Sequence, residues 1–299
     1  MKRYAILALV VVSSGGCREE QVAKPHATDS VQVATVDSNA VRANAAAHAV
    51  TFPAGPEGLA AKRGFAILAA TRDSLPGYVG NGLRCFSCHL DNGNRPNSIP
   101  LTGVYARYPT YGVRDGEEAT IQDRINSCFR RSLAGRAIPD DSKQMHDIVT
   151  YLALVSRGVA IGAHVPGEGL PKMPPLTGDT VRGAAIFTAS CARCHGANGA
   201  GIPPATPVWG PRSYSIGASL ARVERAASFI RHNMPFDSAG VLNDQQAYDV
   251  ASYVLSHPRP NTRGIEHDWP NGGAPSDVPY NTKGHVAFNP PKQLTAPEF

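Results

Sequence analysis

Two five-residue stretches decide the fold: Cys85-Phe86-Ser87-Cys88-His89 and Cys191-Ala192-Arg193-Cys194-His195. C-x-x-C-H is the attachment signature of c-type haem, in which two thiols form thioethers to the porphyrin vinyls and the adjacent histidine ligates the iron. Either C-x-x-C alone would read equally well as a dithiol redox pair. The histidine that follows directly in both copies selects haem attachment. Two covalently bound haem c groups, with iron, are therefore expected on Cys85, Cys88 and His89 and on Cys191, Cys194 and His195.

Outward from the motifs, the chain repeats itself. RGFAIL at 63–68 parallels RGAAIF at 182–187 with an offset of 119, whereas the haem motifs are offset by 106. The first copy thus carries 13 additional residues ahead of its motif, around RDSLPGYVGNGLR. Further on, DIVTYL at 147–152 parallels DVASYV at 249–254. Met145, Ile148, Val149, Leu152 and Val155 recur at helical spacing, as do Ala247, Val250, Ala251 and Val254. The predicted class is all-α, two tandem cytochrome c domains with long irregular loops. They are expected over 53–160 and 178–258, joined by a Pro/Gly-rich linker over 161–177 and followed by an extended, irregular C-terminal tail over 259–299. That tail is too rich in Pro, Gly and Asn for a long helix or central strand, and is expected to wrap the surface.

The N-terminus predicts export. Lys2 and Arg3 precede an unbroken apolar run, Ala5 to Val12, that is far shorter than the roughly 20 residues needed to span a bilayer. The small residues SSGG lead directly into Cys17, which predicts a signal peptide with a lipobox over 1–17 and lipidation of Cys17. Residues 18–52 are polar, Ala-rich and aperiodic, and read as a flexible tether. The expected location is periplasmic, with membrane contact only through the lipid. A formal charge of +5, falling to +3 once Lys2 and Arg3 are removed, suits small anions. It is too small, and too little patterned, for a nucleic-acid partner.

A cytochrome c iron takes its second axial ligand from further along the chain. In the second copy Met234 lies 39 residues past His195, at the end of FIRHNMP, with Pro235 to hold the loop; His232 and Met173 are the competitors. Counting 39 residues past His89 in the first copy arrives at Cys128. Of six cysteines, four are taken by haem and Cys17 by lipid, which leaves Cys128 without a disulfide partner. The repeat register makes it the first haem's axial ligand, with Met145 and His146 as alternatives. A thiolate stabilises ferric iron, so the first haem is expected to have the lower potential.

Around Cys128 the spacing predicts a helix capped by Thr120, with Asp123 three residues on and a buried stripe of Ile121, Ile125, Phe129 and Leu133. Arg124, Cys128 and Ser132 recur every four residues along an adjoining stripe. A guanidinium one turn before the thiol and a hydroxyl one turn after it suit an oxyanion, with Arg114 in the preceding loop as a second cation. Arg130 and Arg131 are expected on the surface.

These stretches resemble the bacterial di-haem thiosulfate dehydrogenases, a family that also acts as tetrathionate reductases. The resemblance rests on GNGLRCFSCHLDNGNRP, PLTGVYARYPTYGVRDG and RINSCFRRSLAGRAIPDDSKQM in the first copy, and on CARCHGANGAGI, WGPRSY, FIRHNMP and DQQAYDVASYVLSHPRP in the second, within residues 55–262. It implies a first haem ligated by His89 and Cys128 at the active site, with Arg114, Arg124 and Ser132 around thiosulfate or tetrathionate. It also implies a second haem ligated by His195 and Met234, passing electrons to a periplasmic cytochrome c or similar carrier. Ala134, His146 and Asn233 stand where the family pattern has Asn, a polar residue such as Gln, and in some members Lys. These departures bear on redox tuning and direction rather than on the reaction class. A non-catalytic di-haem electron carrier, a haem subunit of a Sox-type complex and a di-haem peroxidase are the rival readings.

Overall fold

The computed structural model describes residues 50–295; the expected signal peptide, Cys17 and most of the expected tether lie outside the described residues. Six helices organise the chain: α1 (Pro56–Ala69), α2 (Ile121–Arg131), α3 (Lys143–Val155), α4 (Thr180–Ile186), α5 (Val223–Asn233) and α6 (Asp244–Leu255). Among the described residues strand is confined to short pairs: the antiparallel hairpin β1 (Thr110–Gly112) and β2 (Glu117–Ala119), and the parallel pair β3 (Arg259–Pro260) and β4 (Gln293–Leu294). Among the described residues no helix is long and apolar enough to cross a membrane.

The sequence repeat is a repeat of one helix crossing. α1 packs on α3 at Gly64, where a Cβ would lie 2.0 Å from the Asp147 carbonyl oxygen, so only glycine permits the approach. Arg63, one residue earlier, donates two hydrogen bonds of 2.7 Å to the Asp147 carboxylate. α4 crosses α6 in the same way: a Cβ on Gly183 would lie 2.0 Å from the Asp249 carbonyl oxygen. Arg182 donates to Asp249 at 2.7 and 2.9 Å. The apolar faces predicted for the closing helices pack inward here, with Met145, Ile148 and Leu152 in one cluster and Ala247 and Ala251 in another. Each start is capped: Ser142 Oγ accepts from the Met145 amide, and Asn243 and Gln246 form a reciprocal capping box.

The repeats differ where the first has its additional residues. In the second, α4 continues through a π-type turn (Phe187–Cys191) straight into the helical turn Ala192–His195 of its haem motif. In the first, α1 gives way to a short helix (Thr71–Ser74) and a loop before the motif's tight turn at Cys85–Ser87. That loop carries Asn81, which is buried and donates to the carbonyls of Ser132 (2.8 Å) and Ser213 (3.0 Å). One side chain from the extra loop thereby stitches the end of α2 to the long loop of the second repeat.

The composition predicts a tail that wraps the surface; in the structure the tail also contributes buried side chains. Ile265, Trp269, Val278 and Tyr280 are buried in a cluster with Ile216 of the second repeat, and Arg259 is wholly buried. Pro and Gly exclude long regular elements but do not prevent burial of the aromatic residues between them.

Candidate active site and haem-binding residues

The capping box fixes where α2 begins. Thr120 Oγ1 accepts from the Asp123 amide at 3.1 Å, and Asp123 Oδ2 accepts from the Thr120 amide at 2.9 Å. From that start Arg124, Cys128 and Ser132 fall one turn apart on one face, and Arg124 Nη1 donates to Cys128 Sγ at 3.2 Å. Cys128, Ser132 and Ile125 line an open-sided cavity that is also lined by Cys85, Cys88 and His89. Residues more than 30 positions apart, picked out by motif and by repeat register, thus share one apolar-walled space. Phe129 and Leu133, on the buried stripe, complete the α2 side of it.

The two haem-motif histidines are oriented alike. His89 Nδ1 donates to the Ile99 carbonyl at 2.5 Å, and His195 Nδ1 donates to the Thr206 carbonyl at 2.8 Å. A carbonyl cannot donate, so Nδ1 is the N–H nitrogen in the neutral form of each ring, the tautomer that presents the Nε2 lone pair to a metal. Burial lowers the pKa of His195, only partly offset by the bond to Thr206, which keeps that imidazole neutral. Burial likewise pushes the Cys85 and Cys88 thiols up to about 12 and Cys191 to about 11. These donor sets fit covalent haem.

A buried orphan supports the same fit. Arg259 is 0 % exposed, and its guanidinium lies 4.6 Å over the Tyr214 ring. Nη2 donates to the Val254 carbonyl at 2.9 Å, but Nε and Nη1 have no partner. An unpaired buried guanidinium is costly, and haem brings two propionates able to accept from it.

Cys128 stands out among the thiols. Burial pushes its pKa up, but Arg124, His89 and Arg114 outweigh that and bring it down to about 7. Arg124 is shifted the other way, chiefly by the charge of Cys128. Arg114 sits in the β1–β2 turn, where burial lowers its pKa and Nη1 donates to the Gly217 carbonyl at 3.3 Å. Of the alternatives to Cys128, Met145 is wholly buried in the apolar cluster and does not line the cavity, and the His146 side chain is 73 % exposed.

In the second repeat, Met234 caps the end of α5 and packs against Leu90, next to His89, with Leu170 and Phe229. His232 Nδ1 is held by the Ser228 carbonyl at 2.8 Å, and Met173 is buried among Ala226, Ala227 and Tyr248. Cys194 is the exposed member of its pair.

One expectation fails. Arg130 is exposed as expected, but Arg131 is not a surface residue: it makes hydrogen bonds of 2.8 and 2.6 Å to both carboxylate oxygens of Asp268, which is buried. Its partner lies in the tail, 137 residues away, which helical periodicity cannot reveal. Arg225 was also missed; it is half-buried on α5, near enough to Arg124 for the two charges to repel, and has no ion pair among the described residues.

With this geometry in hand, comparison with known proteins gives consistent results. Residues 79–161 match the SoxA/TsdA cytochrome c domain and residues 180–258 match the cytochrome c family. The chain is 41 % identical to a thiosulfate dehydrogenase of Allochromatium vinosum over 71 % of this chain and 83 % of that one. It is also 41 % identical to a thiosulfate dehydrogenase of Psychrobacter arcticus, over 76 % and 72 % of the respective chains. Among solved structures it is similar to a thiosulfate dehydrogenase (TsdBA) of Marichromatium purpuratum, with TM-score 0.70 and 30 % identity. That match covers 80 % of this chain but only 56 % of the longer solved chain.

Proposed function

The chain belongs to the thiosulfate dehydrogenase family, and from that premise we propose that it joins two thiosulfates to tetrathionate at the Cys128 cavity and sends the electrons through the second repeat to an external carrier. It is a di-haem c-type cytochrome with one covalent haem c in each of two cytochrome c domains. When bound, the two haems supply two one-electron acceptors, which matches the two electrons released per tetrathionate.

The observation that carries the reading is the Arg124 contact to Cys128, a thiol that lines one cavity with His89. The main obstacle to the reaction is repulsion between two dianions, which is strong at short range in a low-dielectric site. Arg124 and Arg114 offset that repulsion with fixed cations that need no reorganisation, and Ser132 adds a hydroxyl on the same helix face. Cys128 is the nucleophile. Its thiolate forms a sulfur–sulfur bond with the outer sulfur of one thiosulfate as two electrons leave. The outer sulfur of the second thiosulfate then attacks the outer sulfur held on Cys128, releasing tetrathionate and restoring the thiolate. No proton is taken up or released. His89 and Cys128 would hold the first iron, His195 and Met234 the second.

The domain limits 53–160 and 178–258, export to the periplasm and a lipid anchor on Cys17 belong to the same reading. They rest on the repeat and on the N-terminal pattern. The exposed Cys194 edge suits a periplasmic cytochrome as acceptor.

The test is anaerobic absorption spectroscopy of oxidised holoprotein during thiosulfate titration, with tetrathionate assayed in parallel. Haem reduction matched by tetrathionate is the expected result, and Cys128→Ser should retain both haems but lose turnover. A protein whose haems stay oxidised, and whose dithionite-reduced form does not reduce tetrathionate, would be an electron carrier instead.

A further inference from the structure

The Arg114 turn and the Cys128 helix are both held by one short stretch of the C-terminal tail. Trp269 donates its amide to the Arg114 carbonyl at 2.7 Å, and its ring lies 5.1 Å from the Arg114 guanidinium carbon. Pro270 packs on the same turn, so closely that a Cβ on Gly116 would lie 2.5 Å from its ring. Asn271 Nδ2 donates to the Tyr111 hydroxyl at 3.2 Å. One residue before Trp269, Asp268 takes both hydrogen bonds from Arg131 at the end of α2 and a third, of 2.6 Å, from the Tyr280 hydroxyl.

The chemistry of the two arginine contacts differs. Arg131 meets a carboxylate, so its charge is cancelled where it stands. Arg114 meets an aromatic face, which attracts a guanidinium without neutralising it and leaves its in-plane N–H groups free for an anion. Apart from Nη1 bonded to the Gly217 carbonyl, the Arg114 side chain makes no hydrogen bond among the described residues. Trp269 also holds φ +53°, a left-handed conformation that disfavours a bulky residue, although its side chain is buried. That strain is offset where the ring and the amide both meet Arg114.

We propose that Asp268–Asn271 is a positioning clamp for the anion site, with Trp269 aiming the Arg114 guanidinium at thiosulfate while keeping its full charge. The proposal rests on Arg114 binding substrate. The tail is then part of the binding machinery, and Trp269 is a positioning residue that acts through Arg114.

The test is steady-state thiosulfate oxidation by holoprotein with ferricyanide as acceptor. Trp269→Leu keeps apolar bulk but loses the aromatic face; it should raise KM about fivefold with kcat changed by less than about twofold, and Trp269→Phe should restore most of the loss. In an Arg114→Ala background, Trp269→Leu should add less than about twofold. Should Trp269→Leu give too little holoprotein, mono-, di- and trifluorinated tryptophan weaken the π face without changing its shape. KM should then climb stepwise in the natural chain but stay flat with Arg114→Ala, which also controls for Trp209. If Arg114→Ala raises KM but Trp269→Leu and fluorination do not, the clamp is overturned and the role of Arg114 stands. A KM increase of equal size in both backgrounds would mark Trp269 as general scaffold and also overturn the clamp. An unchanged KM in Arg114→Ala alone would remove Arg114 from the substrate site, and the clamp with it.

Discussion

Asn233 of the second repeat donates its side-chain amide to the backbone carbonyl of Asn97 in the first, at 2.8 Å. The bond lies next to both candidate iron-binding loops: Met234 follows Asn233, and Ile99, two residues past Asn97, holds His89 Nδ1. Asn233 is wholly buried and Asn97 half-buried, so losing the bond costs about 0.5–1.5 kcal/mol.

Asn233→Ala should therefore loosen the contact between the two iron-binding loops while leaving both haems attached. Stopped-flow mixing with thiosulfate should show the first haem reduced at nearly the natural rate. The second should follow more slowly, by roughly the tenfold that 1.4 kcal/mol represents. Unchanged reduction of the second haem would mean that the bond has no part in electron passage.

The paired Arg–Asp contacts make a pH prediction. Burial raises the pKa of Asp147, but Arg63 and Lys143 outweigh it, so its folded-state pKa lies below the ordinary value; Asp249 is shifted the same way, burial being outweighed by Arg182, the Asp179 amide and Gln245. For a carboxyl whose pKa is depressed on folding, the stabilisation is complete above the unfolded value of about 3.9 and is lost as pH falls through the lower folded-state value. Asp147→Asn and Asp249→Asn should each lower stability at neutral pH. The gap to the natural protein should close on acidification below about pH 4, as followed by denaturant titration of far-ultraviolet circular dichroism. A gap that stays constant to about pH 2 would show that packing, not charge, holds these crossings.

What was legible in the sequence is local or repeated. C-x-x-C-H declares its chemistry within five residues, and the duplication carries the register of Met234 onto Cys128, which the structure places in the same cavity as His89. The capping box at Thr120 and Asp123 also follows from neighbours in sequence, and it sets the helix face shared by Arg124 and Cys128. The failures involve long separations. Arg131 reads as a solvated helix residue until Asp268 is brought to it, and nothing in a Pro/Gly-rich tail marks Trp269 as the residue beneath Arg114. A side chain's environment is set by whatever packs on it, and periodicity reports only its own element.

Arg259 gives the last prediction. Its guanidinium is fully buried with Nε and Nη1 unpaired, among a tyrosine face and a backbone carbonyl, neither of which carries a full negative charge. A charge so placed requires an anion, and a haem propionate is the anion this protein brings inside. Removing the cation should favour the ferric haem, because the positive charge that opposes oxidation is lost. Arg259→Met should lower the midpoint potential of one haem by about 59 mV, a tenfold shift for one electron, and Arg259→Lys by less. With the ligands proposed above, Cys128 for one iron and Met234 for the other, the two haems differ in absorption, and redox titration then identifies which haem owns the propionate. Two unchanged potentials in fully loaded protein would mean that Arg259 is satisfied by something other than haem.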